Sequence, residues 1–81
     1  MLRYSPTITK DETLAYDYYL KSARAGHPNS QYEIGRYYTN GRGPVQGNYE
    51  TAAGWYKKAA DQNNAEAQNM LPLMYSDGLG I

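Results

Sequence analysis

Gln31-Tyr32-Glu33-Ile34-Gly35-Arg36-Tyr37-Tyr38-Thr39-Asn40-Gly41-Arg42-Gly43 and, a little further on, Ala52-Ala53-Gly54-Trp55-Tyr56-Lys57-Lys58-Ala59-Ala60 decide the fold. In the first stretch Gln31, Ile34, Gly35 and Tyr38 stand at i, i+3, i+4 and i+7. In the second Ala52, Trp55, Tyr56, Ala59 and Ala60 stand at i, i+3, i+4, i+7 and i+8. Each is one stripe of a 3.6-residue helix, so each stretch predicts an amphipathic helix with one face to bury. Both patterns recur at a shift of 37 residues. Ala15, Tyr19, Lys21 and Ala23 are matched by Ala52, Tyr56, Lys58 and Ala60, and Gln31, Tyr38, Gly41 and Gly43 by Gln68, Tyr75, Gly78 and Gly80. A repeat of this length with two amphipathic stripes per period reads as a helix pair stacked on copies of itself.

The punctuation agrees with that reading. Thr9-Lys10-Asp11 and Gly47-Asn48 place side-chain oxygens where a helix begins and its first N–H groups lack partners. Gly26 and Asn63 share one repeat position, and both residue types tolerate the left-handed backbone that ends many helices. Gly41-Arg42-Gly43-Pro44 closes the following helix, since Pro44 also disfavours helical geometry at Gly43. Helices are therefore expected near 10–25, 29–40, 48–62 and 65–76.

The Tyr-x-x-Gly-x-Gly turn, present at Tyr38–Gly43 and again at Tyr75–Gly80, and the Trp55-Tyr56-Lys57-Lys58-Ala59-Ala60 helix, echoed at Tyr18–Ala23, resemble the Sel-one-like repeat, a relative of the tetratricopeptide repeat. The resemblance spans nearly the whole chain. It implies an all-α, right-handed solenoid of about two helix-turn-helix units that serves as a protein-interaction scaffold or adaptor, binding a protein or peptide on its concave face. Residues 1–81 then form a single repeat domain, a partial repeat over 1–26, a full one over 27–63 and a partial one over 64–81, and the chain reads as a fragment of a longer solenoid. Two residues depart from the family pattern. Pro44 is inserted between Gly43 and Val45, which a turn absorbs; Pro72 replaces Gly and removes a helical N–H, at a cost of roughly 3 kcal/mol, so the last helix is expected to kink or fray there.

Composition narrows the function from the other side. Eight basic and eight acidic residues in 81 give a formal net charge of zero, which offers no pull on a phosphate backbone or an anionic lipid surface. With no Cys and a single His27, neither a thiolate zinc site nor a multi-histidine site can be assembled, and no metal or cofactor is expected. No apolar run reaches the length of a membrane span, and Met1-Leu2-Arg3-Tyr4 lacks the apolar centre of a secretory signal. The Gly41–Gly47 loop follows no strand and has no Lys-Ser or Lys-Thr, so it reads as a turn and not as a phosphate cradle.

No catalytic pair stands out, because the acids fall at positions expected to face solvent or to cap helices. The ten tyrosines divide instead. Tyr18, Tyr19, Tyr32, Tyr38, Tyr56 and Tyr75 occupy packing positions of the repeat, whereas Tyr37 lies off that stripe beside Glu33 and Arg36. Family geometry puts the first helix of each unit on the concave surface, which makes Glu33, Arg36 and Tyr37 contact candidates; a solvated charged face is the plainer alternative. The same face one unit on is Met70, Leu73 and Met74, either an adaptable apolar contact surface or a face for a neighbouring repeat. Self-association through exposed terminal faces is the corresponding expectation for the isolated chain. The alternatives from other classes are a ligand-binding or hydrolase-associated fragment and a structural spacer in a larger assembly.

Overall fold

Four helices follow one another in the computed structural model: α1 (Lys10–Arg24), α2 (Pro28–Asn40), α3 (Tyr49–Ala60) and α4 (Ala65–Asp77). The structure describes residues 10–78, so the expected Thr9 cap and the Gly80-Ile81 part of the second turn lie outside the described residues. Each helix packs chiefly on the next, α1 on α2, α2 on α3 and α3 on α4. The result is an all-α helical-repeat solenoid.

The 37-residue register is visible bond by bond at the helix ends. Gly26 (φ 101°) and Asn63 (φ 70°) both adopt left-handed backbone. The Gly26 N–H donates to the Ala23 carbonyl at 3.0 Å and His27 N–H to Ser22 at 3.2 Å; one unit later Asn63 donates to Ala60 at 2.9 Å and Asn64 to Ala59 at 3.1 Å. These closures, six-to-one at His27 and Asn64, satisfy carbonyls that the helix leaves open. Buried Gln31 then donates from Nε2 to the Ala23 carbonyl at 3.1 Å, and Gln68 repeats the bond to Ala60 at 3.1 Å. The shared Gln of the two units is therefore a staple across the turn between successive helices.

Starts are capped as polar side chains there dictate. Asn48 Oδ1 accepts from the Thr51 N–H at 3.0 Å, and Asn64 Oδ1 from Ala67 at 2.7 Å. Asn64 is buried and its Nδ2 also donates to Asn29 Oδ1 at 2.9 Å, linking the first turns of α2 and α4. At the start of α2, His27 makes no side-chain cap and Pro28 occupies the first turn, where a missing N–H costs nothing. The helix expected to kink or fray at Pro72 does not end there and runs on to Asp77, with Pro72 on an exposed face.

The interior is two clusters sharing α2 and α3. Tyr16, Ala23, Ile34 and Tyr37 form the first, with Trp55 and Val45 packed against them; Ala52, Ala53, Tyr56, Ala59, Ala67 and Met74 form the second, flanked by Tyr32, Met70 and Leu71. Close approach is possible at one point because α2 carries no side chain there: a Cβ on Gly35 would lie 2.6 Å from the Tyr56 ring. Thr39 donates its proton to the Gly35 carbonyl at 2.9 Å and so accepts from the Tyr56 hydroxyl at 2.9 Å, which closes the junction of α2 and α3. Burial pushes the Tyr56 phenol above its ordinary pKa.

Candidate protein-interaction surface

Glu33, Arg36 and Tyr37 on α2 stand 37 residues before Met70, Leu73 and Met74 on α4, so the six candidates are three repeat positions, each present twice. The structure treats each position alike in both units. Glu33 and Met70 are half-buried, Arg36 and Leu73 are exposed, and Tyr37 and Met74 are buried at 3% and 2% exposure. Tyr37 and Met74 are thus core residues, a correction to their expected place on the open face. The buried residues of α2 are Ser30, Gln31, Ile34, Gly35 and Tyr37, so the stripe takes in the i+3 neighbour of Ile34 and leaves its i+4 neighbour Tyr38 half-buried.

Tyr37 is fixed from three directions. The ring meets Tyr16 edge-on at 5.4 Å between centroids, and the Arg42 guanidinium lies 4.9 Å from its centroid. Gly43, with φ of 60°, leaves room for the ring, since a Cβ there would come within 3.3 Å of it. Arg42 also pairs with Glu12 at 3.9 Å, which ties the Gly41–Gly47 turn to α1. Burial raises the pKa of the Tyr37 phenol, with Arg42 pulling the other way. The Tyr16 phenol is pushed up to about 12, first by burial and then by its hydrogen bond to the Tyr38 hydroxyl at 3.2 Å. The periodicity of α2 alone favours Tyr38 as the buried ring; the partner that draws Tyr37 in, Tyr16, is on α1.

What remains open on this surface is Arg36 and Leu73 with the edges of Glu33 and Met70. Arg36 pairs with Glu33 at 3.7 Å, a separation suited to a partly exposed i,i+3 pair of small energetic weight, and its guanidinium lies 6.0 Å from the Tyr32 ring. Tyr32 and Met70 pack on the same cluster, which ties both patches to the core of α3 and α4. Leu73 is 59% exposed. Two further consensus tyrosines depart from their expected packing role, Tyr18 at 68% and Tyr75 at 66% exposure. Their repeat counterparts Trp55 and Tyr38 are half-buried because a neighbouring helix lies over each.

With the helix pairs, turns and Gln staples in place, the comparison with known sequences can be stated. The Sel1 repeat profile matches residues 1–27, 28–64 and 65–81. The chain belongs to the Sel1 repeat family. Among solved structures, a Sel1 repeat protein from Oxalobacter formigenes matches with a TM-score of 0.74 and 43% identity, over 83% of this chain and 50% of that one. Among curated proteins, the chitin synthase regulator SKT5 of Saccharomyces cerevisiae is 38% identical over 71 residues, 88% of this chain and 10% of the relative. The chain therefore spans half of one Sel1 relative and a tenth of the other. Sel1 repeats are in general protein-interaction modules. No helix among the described residues is long and apolar enough to cross a membrane.

Proposed function

We propose that this Sel1 chain is a non-catalytic scaffold that binds a protein or peptide across α2 and α4, through Arg36 and Leu73 with Glu33 and Met70 at their edges. The observation that carries the reading is the repeated exposure at positions 36 and 73. The same register point stays open in both units, while the other two candidate positions are half-buried at Glu33 and Met70 and core at Tyr37 and Met74. Arg at one of these positions offers directional hydrogen bonds and a broad contact surface, and Leu at the other offers apolar area, so the two patches together suit an amphipathic partner. The name of the yeast relative, a chitin synthase regulator, supports the same reading.

The test is site-specific photocrosslinking in cells that express the chain. A photoreactive residue at Leu73 or Arg36 is expected to trap the same partner protein, whereas one at exposed Gln46 in the turn is not. With that partner in hand, Arg36→Ala combined with Leu73→Ala is expected to weaken binding by at least about 2 kcal/mol with unchanged helical circular dichroism. Crosslinks from Gln46 alone, or full affinity in the double variant, would place the binding surface elsewhere.

A further inference from the structure

An open groove of about 350 Å³ lies between α3 and α4, lined by Ala53, Gly54, Leu71 and Tyr75 with charged residues at its rim. The repeat explains why it is there. One unit earlier the same four positions hold Tyr16, Asp17, Ile34 and Tyr38. Tyr16 fills that space from within, its hydroxyl 3.2 Å from that of Tyr38. From outside, Trp55 of α3 packs on the cluster of Tyr16, Ile34 and Tyr37, with the Lys58 ammonium 5.3 Å from its ring. At the second groove Ala53 withdraws the internal ring, and the described residues place no counterpart of Trp55 over it.

The residue one repeat before Trp55 is Tyr18, exposed on α1, and Lys21 follows it three residues on as Lys58 follows Trp55. We infer that the groove between α3 and α4 of one molecule receives Tyr18 of a second copy, head to tail, so that α1 of the incoming chain lies on α4 much as α3 lies on α2. The chain carries both halves of a contact that it already makes internally. Charge agrees with the docking at one point: Glu50 and Asp61 against Lys57 leave the groove rim one negative charge in excess, and Lys21 stands one turn from Tyr18 on α1. Because plug and socket are different patches, the contact does not close on itself and extends into longer stacks as concentration rises.

The intermolecular contact is looser than its internal template. Pro72 stands where α2 has Gly35, and a Cβ at that point already intrudes on the ring of Tyr56. Tyr19 of the incoming copy, the counterpart of Tyr56, is accordingly held off α4. The inference uses neither Arg36 nor Leu73 and stands or falls separately from the scaffold surface.

Sedimentation equilibrium on the full chain, from micromolar to millimolar, tests it. The average mass is expected to rise with concentration, and Tyr18→Ala and Gly54→Arg are each expected to weaken association by about tenfold or more. Both sites are exposed, and a Cβ at Gly54 meets nothing within 4 Å, so neither change should disturb the helices. An equimolar mixture of the two variants is expected to recover association and to stop at two chains, since one variant keeps the groove and the other keeps Tyr18. Pro72→Gly is expected to tighten the wild-type contact. If Gly54→Arg lost helicity, Ala53→Tyr, which rebuilds the Tyr16 arrangement, would fill the groove in its place. A wild-type chain that stays monomeric at millimolar concentration, variants that associate like wild type, or a mixture that stays monomeric would each overturn the inference. So would a monomeric wild type that binds a peptide of residues 47–63, which would show that the groove accepts a detached helix of the α3 kind but not α1 of a second copy.

Discussion

Where α1 meets α2, the core positions hold Tyr16, Tyr19 and Tyr37; where α3 meets α4, the counterparts are Ala53, Tyr56 and Met74. The helix ends, the Gln staples and the exposure at 33/70, 36/73 and 37/74 nevertheless agree between the two units. The difference teaches that the repeat specifies which positions turn inward and where the chain reverses, and leaves the filling of the interior to each unit. It also shows that burial depends on place in the stack: Tyr56, with a helix on either side, is fully buried, while its counterpart Tyr19 is half-buried.

Alkali should separate the two units most strongly. The phenols of Tyr16, Tyr37 and Tyr56 are all raised above the ordinary value near 10, that of Tyr16 to about 12. A raised phenol pKa means that the fold favours the neutral form. The contribution is complete below about pH 10 and is lost as pH climbs through the folded-state values toward 12. Two of the three groups lie in the first unit, and their counterparts Ala53 and Met74 have no proton to lose. Melting midpoints followed by circular dichroism should be level up to about pH 9.5 and fall steeply above 10, with tyrosinate absorbance rising as the helices melt. Tyr16→Phe should make that fall shallower. A midpoint indifferent to pH 11.5 would show that these rings are not desolvated.

The helical plan was legible in the sequence because it rests on local chemistry: periodicity, Asn caps and left-handed closures at Gly26 and Asn63 each act within a few residues. The continuation of α4 through Pro72 was not, since an exposed proline leaves open whether packing of Ala67 and Met74 outweighs one missing bond. The exposure of the candidate positions was partly legible. Arg36 and Leu73 stand open as expected, but Tyr37 and Met74 turn inward, and what draws Tyr37 in, the edge of Tyr16 and the turn at Gly43, is contributed by other parts of the chain. Tyr18 and Tyr75 mark the opposite error, in which a repeat pattern names the packing position while the described residues supply no helix to pack on it.

The junction between units is the next place to press. Gly35→Ala drives a methyl into the fully buried Tyr56 ring, whose hydroxyl is already held by Thr39. Overpacking of an enclosed site should cost about 3 kcal/mol, well beyond any gain in helix propensity. Denaturant unfolding monitored by circular dichroism checks this. A loss under about 1 kcal/mol would mean that α2 and α3 can part without penalty, and the contrast between a tight junction and a loose end would disappear.

Equivalent aromatics at different places in the stack give the middle-sized effect. Trp55, half-buried over the first cluster, should cost about 2 kcal/mol on replacement by Ala, less than a fully enclosed ring. Tyr18→Ala at the same register point should cost about 0.5 kcal/mol or less, measured on dilute monomer where no second copy contributes. Equal losses would mean that α1 is covered on its outer side after all.

The smallest change reverses sign. Gly54 sits in the middle of α3 on an exposed face, and a Cβ there would touch nothing within 4 Å, unlike the one on Gly35. Glycine in a helix interior gives up more backbone entropy on folding than alanine, so Gly54→Ala should stabilise the chain by about 0.8 kcal/mol. The same substitution at two helical glycines then destabilises at one and stabilises at the other, with packing as the sole variable. Gly54 stands opposite Asp17 in the repeat, and the side chain it lacks is part of what leaves the α3–α4 groove open. If Gly54→Ala instead lowered stability in a urea titration, the groove would have to be filled by neighbouring side chains in solution, and the openness that distinguishes the second unit from the first would be lost.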